Sequence, residues 1–183
     1  YRRIEYVGPT VSKELIMTGI IAILIAIFSI LIYIWFRFEL PFAVGAVLAL
    51  IHDTILTIGM FSITSLEFNL STVAAILLII GYSMNDTVVV YDRVRENLKK
   101  FKKLDTFSLL NKSINETLSR TINTTATTIL ALLALFIFGG NIIKDFSLAM
   151  IWGIVIGTYS SILIATPILI NMKIRKANKE SEE

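Results

Sequence analysis

Residues 81–97 read GYSMNDTVVVYDRVREN: an apolar run that carries Asn85 and Asp86, then breaks into the charged cluster Asp92, Arg93, Arg95 and Glu96. The run it closes, 68–91, has Asp86 as its only charge. A carboxylate in hydrocarbon costs several kcal/mol unless something compensates it. The rest of the chain must therefore supply both a membrane and a compensating group.

The membrane is supplied by blocks. Of 183 residues 55% are hydrophobic, and they come in long uncharged stretches. Residues 15–36 (LIMTGIIAILIAIFSILIYIWF) carry no charge, 40–63 are broken only by His52 and Asp53, and 122–138 and 146–172 are again uncharged. Each approaches or exceeds the roughly 20 residues that span a bilayer core of about 30 Å. The pattern predicts an all-α polytopic membrane protein: a bundle over 14–173 with five transmembrane helices at about 15–36, 40–63, 70–92, 119–138 and 146–172. Residues 1–13 read as the end of an external segment, 93–118 as a cytoplasmic loop, and 174–183 as a cytoplasmic tail.

Orientation follows the cations. With the N-terminus outside, Arg37, the eight Lys and Arg from Arg93 to Arg120, and Lys173, Arg175, Lys176 and Lys179 fall inside. Only Arg2, Arg3, Lys13 and Lys144 fall outside. The positive-inside rule favours this arrangement. The net charge of +3 thus follows topology, and no nucleic-acid partner is expected from it.

Local signals refine the picture. Gly8-Pro9 marks a turn, and Thr10 or Ser12 is placed to cap the first helix. Pro41 suits the first turn of the second span. The short outer connection SLEFNL (65–70) makes spans two and three a tight antiparallel pair, with Ser71 or Thr72 as the cap of the third helix. Within 93–118, Phe107, Leu110, Ile114 and Leu118 recur at helical spacing, which predicts an amphipathic helix along the membrane surface; a plain solvated connector is the alternative. Gly139-Gly140 ends the fourth span. The chain opens on Tyr1 with polar residues and no signal-peptide pattern, so an upstream part beyond this sequence is expected.

Several chemistries are excluded. Without cysteine there is neither a disulfide framework nor a thiolate metal site. A single histidine does not build a His-based metal centre. GxxxxGK[ST] and HExxH are absent, which removes a phosphate-binding loop and a zinc-protease helix, and neither Asp53 nor Asp86 lies in a GxGD context. No metal, cofactor or enzymatic reaction is expected.

What remains is a proton site. Measured from Ser71 at 1.5 Å per residue, Asp86 lies about 22 Å along its helix, in the inner half of the bilayer. Tyr82 and Ser83 share its face, Gly81 permits close helix approach, and Asn85 and Thr87 flank it. The counter-charge at comparable depth is Arg120, about 28 Å back from Gly139. Thr124, Thr127 and Thr128 continue the Arg120 face into the membrane. A shielded carboxyl can be neutral and ionise again when Arg⁺ approaches, while arginine stays charged throughout. Asp86, Arg120, Asn85, Thr124, Thr128 and Asp53 are therefore the candidate proton-pathway residues; a static buried salt bridge that fixes packing is the alternative. Asp92, Arg93 and Glu96 are candidates for partner docking or conformational change, against a simple solvated helix end. IHDTIL (51–56) echoes MNDTVV (84–89), placing an Asp-Thr pair in two helices that run opposite ways.

VGPTVSKEL, LIHDTILTIG, GYSMNDTVVVYDRVREN, TLSRTINTTATTILALLALFIFGG and DFSLAMIWGIVIGTYSSI together resemble the C-terminal transmembrane part of SecF proteins, in the SecD/SecF family of bacterial protein-export membrane proteins, over about residues 4–172. The resemblance implies an RND-like bundle in the bacterial cytoplasmic (inner) membrane. It also implies partnership with SecD and the SecYEG translocon, and use of the proton-motive force to assist exported polypeptides. The proton is then the only coupling ion. Asp86 and Arg120 match the family's proton-pathway residues. The chain is either part of a separate SecF or the C-terminal half of a fused SecD–SecF chain. Glu116 stands where the family more usually has Gln, which predicts an acid that competes for Arg120. An RND-type exporter of small molecules or lipids and a purely structural membrane scaffold are the rival readings.

Overall fold

The computed structural model describes residues 9–64, 69–172 and 174. The beginning of the external segment (1–8), the middle of the outer connection (65–68), Lys173 and the tail from 175 lie outside the described residues. Five long helices carry the fold: α1 (Pro9–Arg37), α2 (Leu40–Thr64), α3 (Leu70–Lys100), α4 (Thr106–Phe138) and α5 (Asn141–Ser160). A π-helical turn, Ser161–Ala165, and the short α6 (Thr166–Ile168) continue α5. All five long helices are apolar and long enough to cross a membrane.

α2, α3 and α5 pack on one another as a central trio, with α1 against α2 and α3 on one side and α4 against α3 and α5 on the other. The exposed face of α1 is almost wholly large and apolar, from Ile16 through Leu24, Ile25 and Phe28 to Trp35 and Phe36. Such a face suits lipid.

Two apolar cores hold the bundle. One gathers Ile34, Phe38, Phe42, Leu50, Tyr91, Leu98, Leu109 and Leu169, with the rings of Phe42 and Tyr91 edge-on at 5.1 Å. The other gathers Met60, Phe61, Ala75, Ile79, Leu132 and Ile154. Along α2 and α5, the residues between the two cores are polar and buried: Asp53, Thr57, Ser160 and Ser161. That belt is the site.

The inner side differs from expectation. Residues 93–118 are not a loop carrying a surface helix; α3 continues to Lys100 and α4 begins at Thr106, leaving only 101–105 between them. At 1.5 Å per residue both helices exceed 45 Å, about half as long again as a bilayer core. The reason is packing. Leu109, Leu110, Ser113 and Thr117 are buried, and Leu109 and Leu110 share a core with Val94 and Leu98 of α3. Of the stripe expected to lie on the membrane surface, Leu110 is buried and Ile114 packs against the same core, while Phe107 stays exposed.

Two caps also move. α1 starts at Pro9, so Thr10 lies inside its first turn. α3 is capped by Asn69, whose side chain accepts from the Thr72 amide at 3.1 Å, while the Thr72 hydroxyl accepts from the Asn69 amide at 3.3 Å. Thr72 is thus the reciprocal half of the cap. Gly139 caps α4.

The π-turn has a local cause. Pro167 lacks an N–H and its ring crowds the carbonyl four residues back, and widening the helix by one residue relieves both problems. The Thr166 hydroxyl donates to the Ser161 carbonyl at 2.9 Å, and the Tyr91 hydroxyl donates to the Ala165 carbonyl at 2.9 Å. Gly45 makes room there, since a Cβ on it would meet the Tyr91 hydroxyl at 2.5 Å. Tyr91→Phe should therefore cost about 1 kcal/mol without changing the fold. Thermal denaturation of the full-length protein in detergent checks this; an unchanged midpoint would mean that the Ala165 carbonyl needs no partner.

Candidate functional site

The polar belt is built around two aspartates on two helices. Asp53 lies 13 residues into α2, about 20 Å from its start, and is fully buried. Its Oδ2 accepts from Ser83 Oγ at 2.6 Å and Ser160 Oγ at 2.7 Å, and its Oδ1 lies 3.1 Å from Nδ1 of His52. One carboxylate thereby ties α2 to α3 and α5. Asp86, three residues beyond Ser83, is 3% exposed and accepts from Thr158 Oγ1 at 3.4 Å. Thr158 shares a 2.9 Å hydrogen bond with Thr125 of α4.

A third polar contact joins these two. Thr87 and Ser161 share a hydrogen bond of 2.8 Å, and Ser161 also donates toward the Ser83 and Gly157 carbonyls at 3.3 and 2.9 Å. Glycine permits the approach of α5: a Cβ at Gly157 would meet Ser83 Cβ at 2.8 Å, and one at Gly153 would overlap Ile79. The run Gly157-Thr158-Tyr159-Ser160-Ser161 therefore serves both aspartates from one stretch of α5.

Arg120 stands apart from Asp86. It is exposed, and no ion pair within 4.0 Å joins the two among the described residues. The direct partner of Asp86 is a hydroxyl. Ser83, expected beside Asp86, is turned to Asp53 instead. Asn85 is exposed on the opposite side of α3 and does not enter the belt. Thr124 and Thr127 return their hydroxyls to carbonyls of their own helix. Thr128 does so as well and also accepts from Tyr82 at 3.1 Å. The α4 hydroxyl that reaches the site is Thr125, not Thr124 or Thr128.

The inner charged cluster is an interhelical clamp. Asp92 pairs with Arg37 of α1 at 3.0 Å, and Arg95 lies 3.6 Å from Glu39, at the start of α2. Arg93 pairs with Glu96 and, at 2.6 Å, with Glu116 of α4. Glu116 also takes Lys112 at 3.0 Å and the Asn97 amide at 2.8 Å. It sits one turn before Arg120 and yet does not compete for it, because its oxygens are already occupied. Glu116→Gln should accordingly leave thermal stability almost unchanged, as expected of an exposed ion pair. Melting curves of the full-length protein measure this, and a large drop in the midpoint would mean that the clamp depends on Glu116.

Sequence reasoning missed Thr125, Thr158, Ser160 and Ser161. A signal was present: GTYSS (157–161) clusters hydroxyls in an otherwise apolar run. Among the described residues no group of three or more His, Asp or Glu could hold a metal ion.

The family model described as "Protein export membrane protein SecD/SecF, C-terminal" matches residues 1–175. A Rickettsia rickettsii protein named "Protein translocase subunit SecF" is 54% identical over 180 residues, covering 98% of this chain and 58% of its own length. A Rickettsia bellii protein of the same name is 56% identical over 169 residues, 92% of this chain and 56% of its own. The crystal structure of SecDF from Thermus thermophilus, described as a translocon-associated membrane protein, superposes with a TM-score of 0.86 at 46% identity, over 91% of this chain and 23% of that one. SecDF in its super-membrane-facing form gives a TM-score of 0.81 at 43% identity, over 96% and 23%. The chain thus spans a little over half the length of the relatives it matches.

Proposed function

Because the chain belongs to the SecD/SecF family of protein-export membrane proteins, we propose that it forms the membrane bundle of a Sec export accessory in which protonation of Asp86 is coupled to helix movement. The observation that carries this reading is the state of Asp86: buried, held by a threonine hydroxyl, and joined by no ion pair within 4.0 Å among the described residues. A static salt bridge would hold Asp86 and Arg120 together. A separated pair leaves an arrangement to be switched, because a small shift of α3 against α4 changes how strongly the carboxylate is stabilised.

Magnitudes allow it. Bringing two unit charges to about 4 Å at an effective dielectric of about 20 is worth about 4 kcal/mol. One charge crossing 100 mV releases about 2.3 kcal/mol. Switching the pair is therefore of the same order as the available drive.

The partner is SecD, through faces that lipid does not suit. Gly81 and Asn85 of α3 and Arg120, Asn123 and Thr127 of α4 are exposed in this chain, and a Cβ on Gly81 would touch nothing within 4 Å. Small and polar residues at membrane depth are the currency of helix–helix contact. Covering these faces with a second bundle also shields Arg120. The assembly works in the inner membrane beside the SecYEG translocon on exported polypeptides, with the N-terminal end of this chain outside. No observation favours a small-molecule exporter. The test is proton-motive-force-dependent export in cells carrying full-length protein with Asp86→Asn.

A further inference from the structure

We propose that Asp53 is a second proton-binding carboxylate of the bundle, reached through His52 and held, as Asp86 is, by a hydroxyl of α5. The inference rests on the proton-coupling reading of Asp86 and adds a site to it.

Consider what surrounds Asp53. Among the described residues, the side chains in hydrogen-bond reach are His52 from its own helix, Ser83 from α3 and Ser160 from α5. α3 and α5 bring no charged side chain within that reach, and Asp86, three residues along α3 from Ser83, is the neighbouring acid in sequence. No lysine or arginine neutralises Asp53, so its burial rests on donated hydrogen bonds. A structural pin between three helices is more simply made with an amide, because an uncompensated charge at this depth is expensive.

The hydroxyl cage suits both protonation states. Ser160 has one proton and two acceptors within reach, Asp53 Oδ2 at 2.7 Å and the Gly157 carbonyl at 3.1 Å. With Asp53 ionised, Ser160 and Ser83 both donate to Oδ2. With Oδ2 protonated, Asp53 donates to Ser160, and the Ser160 proton rotates to the Gly157 carbonyl. No heavy atom of the serines need move. A site built only to hold a carboxylate would not need the second acceptor.

His52 lies at the edge of the site. In this chain alone its side chain is 32% exposed, whereas that of Asp53 is fully enclosed. A proton taken up at Nε2 gives an imidazolium; the Nδ1–H bond then breaks as an O–H bond forms at Asp53 Oδ1, 3.1 Å away. A neutral imidazole is left, protonated at Nε2, so charge and protons balance, and a half-turn of the Asp53 carboxyl group carries the proton from the His52 side to the Ser160 side. On the far side, α5 serves each acid with its own hydroxyl: Ser160 contacts Asp53, and Thr158, two residues earlier and on another face of the helix, contacts Asp86. The π-turn begins at the next residue, Ser161. π-turns inside α-helices frequently sit at functional sites.

The experiment is infrared titration of the full-length protein, purified with its partner and reconstituted in lipid, following the C=O stretch of protonated carboxyl groups. In the Asp86→Asn background, a carboxyl band that titrates is expected to remain and to vanish when Asp53→Asn is added. His52→Gln is expected to shift its midpoint. If Asp53→Asn does not accumulate, Ser160→Ala, which removes one donor and adds no bulk, should move the band and its midpoint. Absence of such a band, or a band indifferent to His52 and Ser160, overturns the proposal and leaves Asp53 a pin. Failure of the Asp86 reading is scored separately, by whether Asp86→Asn alone retains export stimulation.

Discussion

Asp86→Asn, introduced into the full-length protein, is expected to leave membrane abundance normal and to abolish the part of export that depends on the proton-motive force. Asparagine has the shape of aspartate and keeps an oxygen for Thr158, whose contact is already long at 3.4 Å. Its effect on stability should therefore stay within about 1 kcal/mol. What it removes is the capacity to change charge, and with that the response to Arg120. Arg120→Ala should give the same loss, whereas Arg120→Lys should retain a fraction, since the cation remains but the guanidinium fork does not. The measurement is export rate with and without a proton-motive force, normalised to protein abundance. Full stimulation in Asp86→Asn would reduce Asp86 to packing and favour the scaffold reading.

Gly157→Val should have the largest effect on stability. Its Cβ would lie 2.8 Å from Ser83 Cβ and 3.3 Å from Ser83 Cα. The obstacle is the backbone of a neighbouring helix, not the end of a flexible chain. Relief requires α5 to leave α3, and Ser83 is also a donor to Asp53 at 2.6 Å. Overpacking of this kind costs about 1–3 kcal/mol, and a lost hydrogen bond to a buried charge adds about 1.5–3 more. Together these approach the whole stability of many domains. Purified full-length protein should melt well below wild type, while Gly81→Ala, whose Cβ meets nothing within 4 Å, should melt like wild type and weaken co-purification with the partner bundle. Equal melting of wild type and Gly157→Val would show that α3 and α5 are not in the contact described.

The number of spans and the two membrane acids were legible in the sequence because lipid imposes a length and a hydropathy on every crossing helix. Those constraints act residue by residue along the chain. Asp86 and Arg120 were found the same way, as charges where charges are costly. Partner choice is different in kind. Nothing local decides that Ser83 turns to Asp53 and not to Asp86, three residues on in its own helix, that Glu116 is taken by Arg93, Lys112 and Asn97, or that Thr125 reaches the site while Thr124 and Thr128 bond back to their own helix. The first and last follow from the rotation and depth at which α5 meets its neighbours, where Gly153 and Gly157 allow close approach to α3; the partners of Glu116 follow from the packing of α4 on α3. The five-residue break at 101–105 was equally hidden, because an amphipathic stripe reads the same whether it faces a membrane surface or another helix. Composition and spacing determined which groups are inside the membrane; only helix packing decided which of them touch.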